Sequence, residues 1–288
     1  MIAMIKVKLP TVAFLIILLL SACGDKSSDD IGGLKRRGLT ALEEQRFNDA
    51  LNSFRAALRQ QPSDRDLLYY AGLSFRKMDM PDSAVSYFGR ARVLFPRDRE
   101  INRQLLELCP MLDNYNCALQ AIATLISTGD NERMYWPQLA DLNYLNGEMS
   151  LAVRYYRLLL ADDNTHIKYY MNLWQALMEL GKPLEAVKVL EEALDRFGPS
   201  ISLLGNLAVN YIRLNNFYKA ENYLRQGLEI APNSVPAWIN LAHVLTEFDD
   251  RDKKEEALEI YKKYREAAPP MYNLDSIITA LEEELSGR

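Results

Sequence analysis

The sequence predicts an all-α protein built as a solenoid of stacked helical hairpins, and three observations support this prediction. Alanines recur every 34 residues, apolar residues recur with helical period around each alanine, and turn-forming residues separate the apolar stretches. A hairpin of two short amphipathic helices cannot bury its apolar faces alone, so several must stack to form a continuous core. The ladder alanines are Ala50, Ala84, Ala118, Ala152, Ala186 and Ala220, and Ala257 follows after 37 residues.

Two further sets of residues keep the register of the alanine ladder. A large apolar residue stands four positions after each alanine, namely Phe54, Phe88, Ile122, Tyr156, Leu190, Leu224 and Tyr261. A small residue stands twelve positions before most of them, as at Gly38, Gly72, Ala140, Ala208 and, past the longer spacing, Ala242. This pairing predicts a close approach of the two helices in each hairpin. Prolines such as Pro62, Pro96 and Pro232 then end the second helix.

These columns resemble the tetratricopeptide repeat (TPR) family, whose pattern includes a W-x2-L-G-x2-Y first helix, A-x3-F and a proline. The segments YYAGLSF at 69–75 and AWINLAHVL at 237–245 match the first helix. The resemblance implies a right-handed superhelical solenoid of about seven helix-turn-helix repeats over residues 34–270. The predicted repeats lie near residues 31–64, 65–98, 99–132, 133–166, 167–200, 201–234 and 235–271.

Three departures from the repeat pattern have structural consequences. Asn102 stands where a bulky apolar residue is expected, and Trp174 occupies a small-residue position, where we expect it to open or tilt its hairpin. The longer spacing before Ala257 places three extra residues in the inter-helix turn near residues 249–252. After the last repeat, residues 271–288 are predicted to form a capping helix with an apolar stripe and a polar outer face, which solenoids need for solubility.

The N-terminus reads as an export and anchoring segment. Residues 1–22 combine two lysines with the apolar run VAFLIILLL, which is shorter than a membrane-spanning helix requires. The segment Leu20-Ser21-Ala22-Cys23 resembles the lipobox of bacterial lipoproteins, which implies cleavage before Cys23 and acylation of that residue. An ordinary secretory signal with a chance cysteine, or an uncleaved anchor, is the alternative. Residues 23–33 are then a polar tether.

Composition and motifs exclude several functions. Lys and Arg total 34 against 39 for Asp and Glu, so no basic surplus is available for nucleic-acid phosphates. Two histidines and three cysteines provide few candidate ligands for a zinc site. Because the sequence also lacks the common hydrolase, metalloprotease and nucleotide-binding motifs, we expect no metal, no cofactor and no catalytic residue.

Cys109 and Cys117 lie at the end of the first helix and the start of the second helix of the third repeat. An exported protein meets an oxidising compartment, which permits a disulfide between them. The alternative is that both are small buried apolar residues.

A column of side-chain amides gives a functional indication. It comprises Gln104, Gln138, Asn172, Asn206 and Asn240, and the resemblance places it on the concave face of the first helices, together with Arg213 and His243. An amide both donates and accepts hydrogen bonds, so such a column can hold the backbone of an extended peptide. Alternatively, these amides bond neighbouring helices.

Taken together, these features predict a TPR scaffold or adaptor, lipid-anchored in the bacterial cell envelope and facing the periplasm, that binds a protein or peptide partner through its concave groove. Gly24 after the cysteine slightly favours the outer membrane. The alternative function is a structural assembly subunit, pilotin-like or homo-oligomeric, that uses its convex or end surfaces.

Overall fold

A computed structural model describes residues 30–267 and 273–287, and these residues form helices joined by short turns, with no β-strand among them. The predicted all-α repeat solenoid is thereby confirmed. The predicted signal segment, residues 1–22, and the predicted lipidation site Cys23 lie outside the described residues. No helix in the described part of the chain is long and apolar enough to cross a bilayer.

The chain divides into two compact units at the junction of residues 132 and 133. Unit 1 holds three hairpins, and a 3-10 turn at Cys109–Leu112 ends the first helix of the third hairpin at Leu108, just before Pro110. Its helices are α1 (Ile31–Glu43), α2 (Phe47–Gln60), α3 (Arg65–Lys77), α4 (Pro81–Leu94), α5 (Arg99–Leu108) and α6 (Tyr115–Ser127).

Unit 2 holds four hairpins and a final single helix. Its helices are α7 (Trp136–Leu145), α8 (Met149–Asp162), α9 (Ile167–Glu179), α10 (Pro183–Phe197), α11 (Ile201–Arg213), α12 (Phe217–Ile230), α13 (Val235–Thr246), α14 (Arg251–Tyr264) and α15 (Leu274–Ser286). The odd-numbered helices up to α13 are the first helices of their hairpins. The right-handed superhelical course stays a prediction.

The first two hairpins are closed by contact between a glycine on the first helix and a phenylalanine on the second. All seven ladder alanines are fully buried, and so are the large residues that follow them. At Gly38 a Cβ atom would lie 2.5 Å from the Phe54 ring, and at Gly72 it would lie 2.9 Å from the Phe88 ring. The first helix can approach the aromatic ring because it has no side chain at that point.

Polar side chains fix where repeats begin and join adjacent repeats. Asp30, Asp64 and Asp98 stand 34 residues apart and cap α1, α3 and α5, each accepting a hydrogen bond from the backbone N–H three residues ahead. Arg65 at the start of α3 donates two hydrogen bonds to the Asp98 carboxylate of the next repeat. The cap of one repeat therefore also holds the preceding repeat in place.

Asn102 is fully buried and acts through its amide group. Its Nδ2 donates to the carbonyl oxygens of Pro96, at 3.0 Å, and Asp98, at 2.7 Å. Trp238 occupies the same repeat position in the seventh hairpin, and its Nε1 donates to the Pro232 carbonyl at 2.8 Å. Two different side chains thus satisfy the turn carbonyl that a proline-terminated second helix leaves without an intrahelical partner.

The three extra residues of the seventh repeat are helical, which corrects the predicted longer turn. α14 begins at Arg251, 34 residues after the start of α12. Ala220 is the fourth residue of α12 and Ala257 is the seventh residue of α14, so the three extra residues, 251–253, form nearly one additional helical turn before the ladder alanine. Asp250 caps this turn by accepting from the backbone N–H groups of Asp252 and Lys253. The strong N-cap makes helix the better conformation for the insertion.

The C-terminal helix α15 packs on α14 through the predicted apolar stripe. Leu274, Ile278 and Leu281 are buried, whereas Ile277 lies at the edge of the stripe with 36% of its surface exposed. On the polar face Glu284 pairs with Lys254 at 2.5 Å. α15 thereby covers the last hairpin with its apolar face packed on α14 and its charged face turned outward.

In the third hairpin the Sγ atoms of Cys109 and Cys117 are bonded, and their Cα atoms lie 5.9 Å apart. Both residues are buried, and the bond joins the 3-10 turn to the first turn of α6.

We predict that Gly38→Ala destabilises the protein by about 1–3 kcal/mol, because the added methyl group overpacks against the Phe54 ring. Gly89→Ala is the matched control, since Gly89 lies in α4 and no atom other than those of its chain neighbours and its own helix backbone lies within 4 Å of its would-be Cβ. That change should stabilise by about 0.5–1 kcal/mol through helix propensity. Urea unfolding followed by circular dichroism measures both, and equal effects of the two variants would contradict the close-contact model.

We also predict that an alkylating reagent labels neither Cys109 nor Cys117 in the exported protein denatured without reductant. Reduction before alkylation should make both thiols reactive, and mass spectrometry of the tryptic peptides counts the added groups. Complete labelling without reductant would instead identify them as unpaired core residues.

Candidate functional site

Two clefts open on unit 2 between consecutive first helices. The first cleft, of about 270 Å³, lies between α7 and α9 and is lined by Asp141, Tyr144, Leu145, Tyr156, Asn172 and Gln175. The second cleft, of about 470 Å³, lies between α9 and α11 and is lined by Trp174, Gln175, Met178, Glu179, Val209 and Arg213. Gln175 lines both clefts, which therefore adjoin.

Helical spacing explains how these side chains reach one surface. On α9, Asn172, Gln175 and Glu179 follow one another at intervals of three and four residues, so they lie along one face of the helix. On α11, Val209 and Arg213 are four residues apart in the same way. The opposite faces of these helices carry the buried residues of the core, so polar cleft residues such as Gln175 and Glu179 are exposed.

A hydrogen-bond network forms the polar wall of the first cleft. The Tyr156 hydroxyl donates to Oδ1 of Asp141 at 2.6 Å. Nδ2 of Asn172 lies 3.3 Å from the Tyr156 oxygen and 3.4 Å from the same Asp141 oxygen. Burial, and then the hydrogen bond to Asp141, raises the pKa of Tyr156 well above its ordinary value. The phenol therefore stays protonated and remains a donor to the carboxylate.

The open side of the Asp141 carboxylate faces an exposed lysine. Nζ of Lys168 lies 3.4 Å from Oδ2 of Asp141, and 67% of the Lys168 side chain is exposed. An ion pair of this kind contributes about 0–1 kcal/mol, because water screens both charges. Asp141 is thus fixed on its inner side and weakly paired on its outer side.

The second cleft contains charged groups without a partner. Within the described part of the chain, Glu179 and Arg213 make no ion pair or hydrogen bond through their side chains, although both line this cleft. Trp174 is half-buried in its wall, and its Nε1 has no hydrogen-bond partner in the described structure. Whether Trp174 opens its hairpin stays a prediction. The second cleft therefore presents a cation, an anion and an apolar surface to a ligand.

Four of the five amides in the predicted column fall into two groups. Asn172 is part of the Asp141 network, and Gln104 in unit 1 accepts a hydrogen bond from Arg76 of the preceding repeat. These two amides bond neighbouring helices. Asn206 and Asn240 are half-buried, and their side chains make no hydrogen bond to the described residues.

The remaining predicted residues lie at separate places on unit 2. Arg213 belongs to the second cleft, whereas Asn240 lines a smaller cavity of about 120 Å³ between α11, α12 and α13. Gln138 and His243 are exposed and line neither cleft. The predicted set therefore does not form one continuous site.

Sequence reasoning missed the part that Tyr156 plays. Its position in the repeat is that of a buried apolar residue, and its ring is 1% exposed as that position demands. Its hydroxyl nevertheless reaches the first cleft, where it orients Asp141. The available signal was a tyrosine in a column otherwise occupied mostly by phenylalanine, leucine and isoleucine, 15 residues after an aspartate on the preceding helix.

Among the described residues, no group of three or more histidine, cysteine, aspartate or glutamate side chains is arranged to hold a metal ion. The clefts offer hydrogen-bonding, charged and aromatic groups instead. Such groups suit recognition of a polypeptide.

Residues 35–99 and 177–245 each match a tetratricopeptide repeat family model. The chain is also 25% identical over 240 residues to the cellulose synthase 1 operon protein C of Komagataeibacter xylinus, covering 77% of this chain and 18% of that protein. The chain thus spans about a fifth of the length of this curated relative.

The chain is also similar to chains of known structure, including the following two, and the TM-score of the first indicates a shared fold. A chain from the complex of Naa15/Naa10 bound to HypK-THB superposes with a TM-score of 0.58 at 13% identity, covering 88% of this chain and 39% of that one. PilW, a type IV pilus biogenesis factor, aligns with a TM-score of 0.43 at 18% identity, covering 77% of this chain and all of PilW.

Proposed function

Because this chain is built from tetratricopeptide repeats, we propose that it is a non-catalytic scaffold that binds an extended segment of another protein. The binding surface, called here the unit 2 groove, comprises the two clefts and the unengaged amides of Gln175, Asn206 and Asn240. The observation that supports this proposal is that the two clefts adjoin at Gln175, with Asn206 and Asn240 on the first helices that follow α9.

The chemistry of the groove suits an extended backbone. Each unengaged amide can donate to a peptide carbonyl and accept from a peptide N–H, whatever the peptide side chain is. The three amides lie on α9, α11 and α13, so one contact is available for each successive repeat. The clefts between the helices can then receive alternate side chains of the bound segment.

We further propose that Cys23 is lipidated and holds the repeats at the periplasmic face of a bacterial envelope membrane. The lipobox-like segment before Cys23 supports this anchor. Several acyl chains on one residue give stable membrane attachment, whereas one chain gives marginal binding.

A second candidate function is structural assembly through the second-helix surface. Two large side chains on this surface favour it, since Leu184 on α10 and Tyr218 on α12 are 67% and 76% exposed. In that case the partner, or a second copy of the chain, covers the second helices and leaves the groove open.

Replacing Cys23 by alanine should release the protein from the membrane fraction or leave it as the longer precursor. Removing the acylated thiol removes the anchor without touching the repeats. Ultracentrifugation of cell envelopes and mass measurement of the chain provide the readout. A variant that fractionates and migrates like the wild type would contradict lipidation at Cys23.

The groove is tested by the triple variant Gln175→Ala, Asn206→Ala and Asn240→Ala. Each lost hydrogen bond should cost about 1 kcal/mol, so the affinity for a bound peptide should fall about a hundredfold. Unfolding should be nearly unchanged, because the three amides make no hydrogen bond within the described structure. Fluorescence anisotropy with a labelled peptide that binds the wild type measures the change.

The matched control is the pair Asn222→Ala and Gln226→Ala on α12, which removes amides from the second-helix surface. It should bind the peptide at wild-type affinity. If the control loses binding and the triple variant keeps it, the assembly function replaces the groove.

A further inference from the structure

We infer that the first cleft recognises a basic side chain, lysine or arginine, of the segment bound in the unit 2 groove. This inference rests on the proposed function and specifies the chemistry of its ligand. It is argued from the shape of the cleft, the state of its carboxylate and the charge around it.

The walls of the first cleft suit a long side chain with a charged end. Tyr144 and Leu145 supply aromatic and aliphatic surface, and Asp141 supplies the only carboxylate among the residues that line this cleft. Lysine and arginine cover apolar surface with their methylene stems while their charged ends reach a polar partner. A tyrosine ring also attracts a cation that lies over its face.

The Asp141 carboxylate is held in position before any ligand arrives. Tyr156 and Asn172 both direct hydrogen atoms at Oδ1, so the carboxylate orientation is set by the core of the repeat. Oδ2 is occupied by Lys168 alone among the described residues, at 3.4 Å. A ligand cation that enters the cleft needs to displace this one exposed, weakly paired lysine.

The surrounding charge favours a cation and disfavours an acidic side chain. Residues 133–288 contain 23 acidic and 17 basic side chains. Glu179, which lines the adjoining second cleft, has no ion-pair partner in the described structure and adds negative potential near Tyr144. Lys168 at the first cleft and Arg213 in the second cleft oppose this potential. An acidic ligand would meet Asp141 at short range, without a buried cation to offset the repulsion.

The first test selects ligands for the full-length chain, purified in detergent, from a random decapeptide library. Enriched peptides should share a lysine or arginine at one fixed position, and Asp141→Asn should abolish that preference. Enriched peptides that need the groove amides but fix no basic residue would overturn this inference and leave the groove intact. If no peptide is enriched, or if the triple groove variant binds the enriched peptides normally, the groove proposal fails and this inference fails with it.

The second test compares an enriched peptide that carries arginine with the same peptide carrying citrulline, which keeps the shape and lacks the charge. The wild type should bind the arginine peptide about tenfold more tightly, as expected for one charge-assisted hydrogen bond. Asp141→Asn should remove this difference, while Asp195→Asn, an equal charge change on the exposed face of α10, should preserve it. Equal affinities of the wild type for both peptides would overturn the inference.

Lys168→Ala provides a third test, in which the expected result is a gain of affinity. A misfolded variant would lose affinity and so could not produce this result. Removing the competing ammonium group should raise the affinity for the arginine peptide, by up to about fivefold, and leave the citrulline peptide unaffected. Lys188→Ala on α10 is the control for the lost positive charge. A fall in arginine-peptide affinity in Lys168→Ala would show that Lys168 belongs to the binding surface and would contradict displacement.

Discussion

The close packing of each first helix on its second helix, with a small residue facing a large apolar one in most hairpins, underlies the rest of the structure. Where the small residue is glycine, as at Gly38 and Gly72, the phenylalanine ring of the second helix lies almost against the first helix backbone. This contact fixes the distance between the helices and the face that each turns inward. It therefore also determines which residues of the first helices remain outside the core, and most residues that line the clefts of unit 2 belong to these first helices.

Polar side chains set where helices begin and link adjacent repeats. Aspartate caps set the start of α1, α3 and α5, and Arg65 links the cap of one repeat to the repeat before it. Asn102 and Trp238 show that a buried turn carbonyl can be satisfied by different side chains at the same repeat position. Residues of different chemistry can therefore occupy the same repeat position, provided that each donates a hydrogen bond to the turn carbonyl.

The first cleft shows how a core position contributes to a surface cleft. Tyr156 fills its place in the hairpin as phenylalanine does elsewhere, and its hydroxyl extends beyond the ring to orient Asp141. The carboxylate is consequently positioned by the core, while the amides of Gln175, Asn206 and Asn240 lie free of it. A rigid charged group beside unengaged hydrogen-bonding groups is the arrangement from which specificity for a peptide side chain can arise.

The sequence by itself determined the hairpins, their register, the pairing of Gly38 with Phe54 and the apolar stripe of α15. Each of these follows from the spacing of apolar, small and turn-forming residues along the sequence. It left open whether Cys109 and Cys117 are joined and which amides are engaged. Tertiary structure decided that Asn172 bonds Asp141, 31 residues away, whereas Asn206 bonds no described side chain. It also made the insertion before Ala257 helical. These outcomes depend on which side chains meet across helices, and the distances between helices are set by packing that no local pattern encodes.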